Sequence, residues 1–183
     1  FSVGDGTWRT SENITLNTWQ HVVVIYDSSS SSNDPVFYIN GVLATTVEPT
    51  TPSGSAASDA ADSALIGNRA SLDRAFNGSM DDVRIYNRAL TAKEIQALYK
   101  AGGGVIQSST ANTKANTNST GVSGGLVGHW TFDGKNMTNA TATDISGSGN
   151  NGTLTNMTAS SSVVAGKIGQ ALTFDSVNDK INM

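Results

Sequence analysis

Short apolar runs separated by frequent turn signals constrain the fold of this chain more than any other feature. The longest run, residues 22–26, holds five apolar residues, which is the length of a strand. Turn-forming residues recur roughly every 8–12 positions. The strongest signal is Asn40-Gly41, because a type I′ turn needs positive φ at both central residues. The pattern predicts an all-β chain, folded as a β-sandwich or jelly roll.

One segment follows a helical period instead. Residues 91–100 place Ile95 and Leu98 on one face of a helix. Thr91 begins the segment and Glu94 follows three residues later. This spacing forms a capping box, in which each side chain accepts a hydrogen bond from the backbone N–H of the other residue. We therefore expect one short helix near residues 91–100.

The composition is poor in charge and rich in small polar residues. Charged residues make up 14% of the chain and the formal net charge is −4, so a basic nucleic-acid groove is not expected. No apolar run approaches the roughly 20 residues of a membrane span. Cysteine is absent, which excludes disulfides and thiolate metal ligands. Ser, Thr and Asn supply a third of the residues, which favours an extracellular or cell-surface location.

Two parts of the sequence resemble one known family. Residues 76–95 read FNGSMDDVRIYNRALTAKEI, and residues 19–24 and 37–41 read WQHVVV and FYING. These stretches resemble the closing strands, turn and short helix of laminin-G-like domains. Residues 125–183 contain GLVGHWTFD, DISGSGNNG and GKIGQALTFD, which resemble the opening of the same family. The resemblance implies a concanavalin-A-like jelly-roll β-sandwich.

The two resembling parts occur in inverted order. Residues 1–104 resemble the C-terminal part of one jelly roll, residues 105–124 are a Ser/Thr/Asn-rich linker, and residues 125–183 resemble the N-terminal part of a second. The central strands expected between them are not visible. The chain is either a window cut from a tandem array or a circular permutation whose halves fold together. In an array, neighbouring repeats or other copies of the protein would complete each half. The start at Phe1, without an initiator Met or signal peptide, predicts a piece of a longer protein.

The sequence offers no recognisable catalytic constellation. Glu12, Glu48 and Glu94 are far apart, and none has a carboxylate at the i+2 or i+4 position of a paired glycoside hydrolase site. His21 and His129 each lie in an apolar run and are expected at polar positions of a sheet surface. We therefore expect no enzyme. The predicted function is a non-enzymatic structural or adhesive module of a tandem-repeat or filament-forming surface protein.

The resemblance also implies a structural calcium site. In this superfamily a Ca²⁺ often lies where the first strand approaches the last, and its ligands are carboxylate, carbonyl and water oxygens. Asp81 matches the closing-strand position, on the expected face of Val83 and Ile85, and Asp133 follows the opening strand. In a competing interpretation, Asp81 only accepts backbone or Arg hydrogen bonds. If the two parts belong to different domains, Asp81 and Asp133 cannot share one ion within a chain.

Sugar-binding and glycan-bearing positions complete the candidates. Trp8 lies in a polar stretch and could stack on a sugar, whereas Trp19 and Trp130 lie in apolar runs and are expected in the core. A carbohydrate-binding module of a secreted enzyme is therefore the alternative function. Asn-x-Ser/Thr sequons are weak signals of N-glycosylation in so Asn-rich a chain. They occur at Asn13, Asn77, Asn118, Asn136, Asn139, Asn151 and Asn156.

Overall fold

The computed structural model describes residues 2–3, 6–53, 63–102 and 122–183. Most of the regular structure in these residues is extended. The strands are β1 (Ser2–Val3), β2 (Gly6–Thr10), β3 (Val22–Ile25), β4 (Val36–Ile39), β5 (Val42–Leu43), β6 (Thr46–Thr50), β7 (Leu65–Ile66), β8 (Asn77–Met80), β9 (Val83–Tyr86), β10 (Leu126–Trp130), β11 (Thr141–Ala142), β12 (Gly152–Thr155), β13 (Val163–Ala165), β14 (Gln170–Asp175) and β15 (Lys180–Asn182).

The predicted helix is present as α1 (Ala92–Gly102), directly after the predicted cap residue. The backbone N–H of Thr91 donates to Oε2 of Glu94 over 2.8 Å, and the N–H of Glu94 donates to Oγ1 of Thr91 over 3.3 Å. Ile95 and Leu98 are buried, as the helical period predicts. A single-turn helix, α2 (Ala159–Ser162), and a 3₁₀ turn at Gly134–Asn136 lie in the C-terminal part.

The chain forms two compact units, and each unit takes two separate stretches of sequence. Unit 1 comprises Phe1–Ala60 and Arg88–Gly124. Unit 2 comprises Ala61–Asn87 and Gly125–Met183. These units cut across the predicted parts 1–104 and 125–183, because strands of the first part pair with strands of the second inside unit 2. That the two parts are halves of different repeats stays a prediction.

Unit 1 contains two three-stranded antiparallel sheets, ordered β1-β2-β6 and β3-β4-β5. Its apolar cluster consists of Trp8, Phe37 and Ala44, with Ile39 packed against it. The hairpin between β4 and β5 turns at Asn40-Gly41, whose φ angles are 53° and 76°. The type I′ signal in the sequence is therefore confirmed.

Unit 2 contains three antiparallel sheets, ordered β11-β12-β15-β7, β13-β14-β8 and β10-β9. Each sheet combines one strand of Ala61–Asn87 with strands of Gly125–Met183: β7 pairs with β15, β8 with β14 and β9 with β10. Trp130, Phe132, Leu172, Phe174 and Ile181 are all but inaccessible at the centre. This core requires residues from both stretches, because Ile66 belongs to the same cluster.

The predicted fold class is confirmed. Within the described residues, the strands form antiparallel sheets and α1 is the one helix longer than a single turn. No helix in this part of the chain is long and apolar enough to cross a membrane. The predicted linker 105–124 lies outside the described residues up to residue 121.

Candidate functional site

Two carboxylates accept backbone hydrogen bonds at the same turn in unit 2. The turn joins β13 to β14, and the N–H of Gly166 closes it on the carbonyl of Gly169 over 3.0 Å. The N–H of Ile168 donates to Oδ2 of Asp81 over 2.7 Å. The N–H of Gln170 donates to Oδ1 of Asp133 over 2.9 Å. The structure therefore brings Asp81 and Asp133, 52 positions apart in the sequence, to one turn.

The turn lies against these carboxylates at a distance that only glycine permits. A Cβ atom on Gly166 would lie 2.7 Å from Oδ2 of Asp81, and one on Gly169 would lie 2.2 Å from Oδ1 of Asp133. Gly169 also has φ +66°, which residues with a side chain rarely adopt. The GKIG stretch at 166–169 is thus the sequence signal for this contact. The resemblance included it without assigning it a role.

The predicted position of Asp81 in a continuous strand is wrong. β8 ends at Met80 and β9 begins at Val83, so Asp81 and Asp82 form a break between two strands. Asp82 has φ 54°, in the left-handed region, and this reverses the alternation of side chains. Asp81 therefore points to the turn at 166–169 instead of following the face of Val83.

The surroundings of Asp81 disfavour its negative charge. Burial raises the pKa of this carboxyl, and the charges of Asp82 and Asp133 raise it further, against the opposing hydrogen bond from Ile168. Oδ1 of Asp81 is buried and accepts no hydrogen bond. An oxygen in this state is costly unless a proton or a cation meets it.

The donor set fits Ca²⁺ better than a transition metal. Asp81 and Asp133 offer carboxylate oxygens, and the described residues contain no group of three or more His, Cys, Asp or Glu side chains that could hold an ion. Main-chain carbonyls and water would have to complete the shell, which Ca²⁺ accepts and Zn²⁺ rarely does. Oδ1 of Asp81, which has no hydrogen-bond partner, is the observation that makes this position a candidate cation site.

A second polar cluster ties β9 to β10. Nε2 of His129 lies 2.5 Å from Oδ1 of Asp82, and Nη2 of Arg84 lies 2.8 Å from Oδ2 of the same carboxylate. Arg84 and His129 are directly opposite in the strand register. Burial of Asp82 opposes its ionisation, but the hydrogen bond of His129 and the charge of Arg84 outweigh burial and lower its pKa. Sequence reasoning missed this cluster, because Asp82 and His129 are 47 positions apart in the sequence.

Trp8 is not the exposed aromatic that the sequence suggested. Its side chain is 2% exposed, and its Nε1 donates to Oδ1 of Asp34 over 2.8 Å. Alternation along β2 buries Gly6 and Trp8 and exposes Thr7 and Arg9, so the polar neighbours occupy the opposite face. The expectation for Trp19 is also wrong: this side chain is 38% exposed and precedes β3. Trp130 is in the core, as expected.

Most sequons lie on the surface. Asn13, Asn77, Asn139, Asn151 and Asn156 are exposed. Asn136 is half-buried and its amide donates to Thr131, while Asn118 lies outside the described residues. Glycosylation of these positions stays a prediction.

The remaining candidate acids and bases are engaged in local structure. Glu12 accepts the N–H of Thr45, and Glu94 caps α1 while pairing with Arg88. The ring of His21 lies beside that of Tyr99, with 6.0 Å between the centroids. Glu12, Glu94 and His21 therefore each make a contact within unit 1.

Comparison with known families agrees with this architecture. A family model described as the concanavalin A-like lectin/glucanases superfamily matches residues 1–96, just over half of the chain. The chain belongs to this superfamily. No curated protein and no solved structure matches it. The superfamily match contains the motifs at 19–24, 37–41 and 76–95, and the resemblance of residues 125–183 to its opening stays a prediction.

Proposed function

We propose that this concanavalin A-like chain is a non-enzymatic structural or adhesive module of an extracellular or cell-surface protein, stabilised by Ca²⁺ at Asp81 and Asp133. The observation that carries the proposal is the buried Oδ1 of Asp81, which has no hydrogen-bond partner, in a carboxylate that shares the β13–β14 turn with Asp133. An ion between them would neutralise two charges and tie Ala61–Asn87 to Gly125–Met183. Oδ1 of Asp81 and oxygens of Asp133 would be its protein carboxylate ligands.

The hydrogen bonds that Glu12 and Glu94 accept support a role without catalysis. A retaining or inverting glycosidase needs two carboxyl groups that face one bond. Glu94 and Glu12 instead accept hydrogen bonds from backbone N–H groups of their own unit. Asp82 is held by Arg84 and His129. The surface rich in Ser, Thr and Asn agrees with an extracellular setting, in which tandem repeats or other copies would be the partners.

The test is a thermal melt of the full chain with Ca²⁺ and with a chelator. Binding to the native state stabilises by about 2.7 kcal/mol at a hundredfold excess over Kd, so chelation should lower the Tm. Asp81→Asn should abolish that dependence. Asp27→Asn, which changes an exposed carboxylate of unit 1, should retain it. A wild-type Tm that is the same in both buffers would remove the calcium part of the proposal.

Glycan binding is the second candidate, on a different aromatic from the predicted one. Trp19 and Tyr99 are exposed large aromatics of unit 1, whereas Trp8 is core. A glycan array should be probed with the wild type and with Trp19→Ala. Trp8→Ala is unsuitable, because removal of a buried Trp costs about 3–5 kcal/mol, and the loss of stability would confound the measurement of binding. Binding that Trp19→Ala abolishes would favour a carbohydrate-binding module.

A further inference from the structure

Gln170 makes two hydrogen bonds with the stretch that carries Asp133. It is the first residue of β14 and directly follows the turn at 166–169. Its backbone N–H donates to Oδ1 of Asp133 over 2.9 Å. Its side-chain Oε1 accepts the N–H of Gly134 over 2.7 Å. A Cβ atom on Gly134 would lie 3.0 Å from the same Oε1, so this side chain lies closely against the backbone after Asp133. One residue therefore contacts both the carboxylate of Asp133 and the peptide unit next to it.

The other contacts of Asp133 hold its backbone and not its carboxylate. Its N–H donates to Oγ1 of Thr131 over 3.3 Å, and its carbonyl accepts the N–H of Asn136 over 2.7 Å. Within the described part of the chain, the N–H of Gln170 is the one donor to the carboxylate, and it occupies Oδ1. Oδ2 of Asp133 accepts no hydrogen bond from these residues. The position of Gln170 therefore decides which oxygen of Asp133 is left for a ligand.

Asp81 divides its two oxygens at the same turn in the same way. The N–H of Ile168 occupies Oδ2 of Asp81, and the buried Oδ1 has no hydrogen-bond partner. Each carboxylate thus gives one oxygen to the backbone after Lys167 and keeps one oxygen for a cation. Ca²⁺ accepts carboxylates through a single oxygen, so this division is compatible with its binding.

We propose that Gln170 is a positioning residue of the candidate cation site. Its Oε1 holds Gly134, and its N–H holds Oδ1 of Asp133, so that Oδ2 of Asp133 is available to Ca²⁺. The inference rests on the proposed function, because it needs an ion at Asp81 and Asp133. Gln170 acts through Asp133 in this role and does not touch the ion. Removal of a residue that holds a metal ligand in this way typically weakens metal binding roughly 10–100-fold.

Calorimetric titration of the full chain with CaCl₂ tests the role. Gln170→Ala should raise the Kd about tenfold. Its Tm in chelator should stay close to that of the wild type, because Gln170 is exposed. Gln96→Ala, the same substitution at an exposed position of α1, is the matched control and should keep the wild-type Kd. A purely structural role would instead lower the Tm in chelator and leave the Kd unchanged, and that result would overturn the inference.

A conservative variant separates the side-chain acceptor from side-chain size. Gln170→Glu keeps an oxygen that can accept the N–H of Gly134, so its Kd should be no higher than that of the wild type. Equal losses of affinity in Gln170→Glu and Gln170→Ala would overturn the role of Oε1.

Amide hydrogen exchange tests the contact without calcium. In chelator, the amide of Gly134 should exchange faster in Gln170→Ala than in the wild type, and Gln170→Glu should restore slow exchange. The same exchange rate in all three proteins would overturn the contact.

The titration also separates this inference from the proposed function. A wild type that binds no Ca²⁺ would overturn both. A wild type that binds Ca²⁺ with the same Kd as Gln170→Ala would overturn the role of Gln170 alone.

Discussion

His129 and Asp82 face each other across the β9–β10 pair, with 2.5 Å between Nε2 and Oδ1. Nε2 of His129 also lies 3.2 Å from Nε of Arg84, so its tautomer decides whether it donates to the carboxylate or accepts from the guanidinium. Arg84 pairs with the same carboxylate from β9. The cluster therefore joins Ala61–Asn87 to Gly125–Met183 by polar contacts beside the apolar core.

Removing the imidazole should destabilise unit 2. His129→Ala leaves Asp82 with Arg84 but without its second donor, and the loss of a hydrogen bond to a partly buried carboxylate costs about 1–3 kcal/mol. Urea titration of the full chain measures the change. Lys135→Ala, an exposed change in the same unit, should stay within about 0.5 kcal/mol of the wild type. Equal stability of His129→Ala and Lys135→Ala would contradict the assigned contact.

Two glycine substitutions separate steric contact from backbone strain. Gly149→Ala introduces a side chain at φ +80° with nothing within 4 Å, so it should cost only the left-handed conformation, roughly 1–2 kcal/mol. Gly169→Ala adds a Cβ against Asp133 at a similar φ and should cost clearly more. It should also weaken Ca²⁺ binding in calorimetry, while Gly149→Ala should not. Equal losses of stability in the two variants would refute close contact at 169.

The cap of α1 should respond to loss of its acceptor. Thr91→Ala leaves the N–H of Glu94 without the Oγ1 that it now contacts at 3.3 Å. Loss of an N-cap hydroxyl costs about 1 kcal/mol. Thermal melts followed by circular dichroism should show the decrease, and Thr91→Ser should restore most of the stability.

The same cap should be sensitive to acid. The hydrogen bond from Arg88, with those from Thr91, lowers the pKa of Glu94 from 4.5 to about 2. Because the folded pKa is the lower one, these contacts stabilise the helix fully above pH 4.5 and are lost as the pH falls towards 2. The side-chain carboxyl signal of Glu94 in NMR should titrate near pH 2, and at a higher pH in Arg88→Gln that still lies below 4.5, because the hydrogen bonds from Thr91 remain. A wild-type midpoint near 4.5 would contradict the capping contacts.

Local chemistry could be predicted from the sequence, whereas contacts between distant residues could not. The Asn40-Gly41 turn and the Thr91–Glu94 box depend on neighbours within four residues, and both formed as expected. The burial of Trp8 depends on which face of β2 meets the second sheet of unit 1. The polar residues beside Trp8 in the sequence suggested an exposed side chain instead. The Asp82–His129 contact spans 47 positions and has no local pattern. Only the family resemblance linked Asp81 to Asp133.

Unit 2 takes its strands from two separate stretches of sequence, so the strands that pair are synthesised at different times. The hydroxyl of Ser79 on β8 meets that of Thr173 on β14, 94 residues later. At about 5–20 residues per second, roughly 5–20 s pass before the second strand has even been synthesised. The partner of β9 is β10, which is synthesised midway through that interval, whereas β7 and β8 lack β15 and β14 throughout it. Pairing over such long separations is intrinsically slow and leaves strands open to aggregation. A nascent chain that stalls before residue 170 would therefore expose β7 and β8 to other nascent chains on the same messenger RNA.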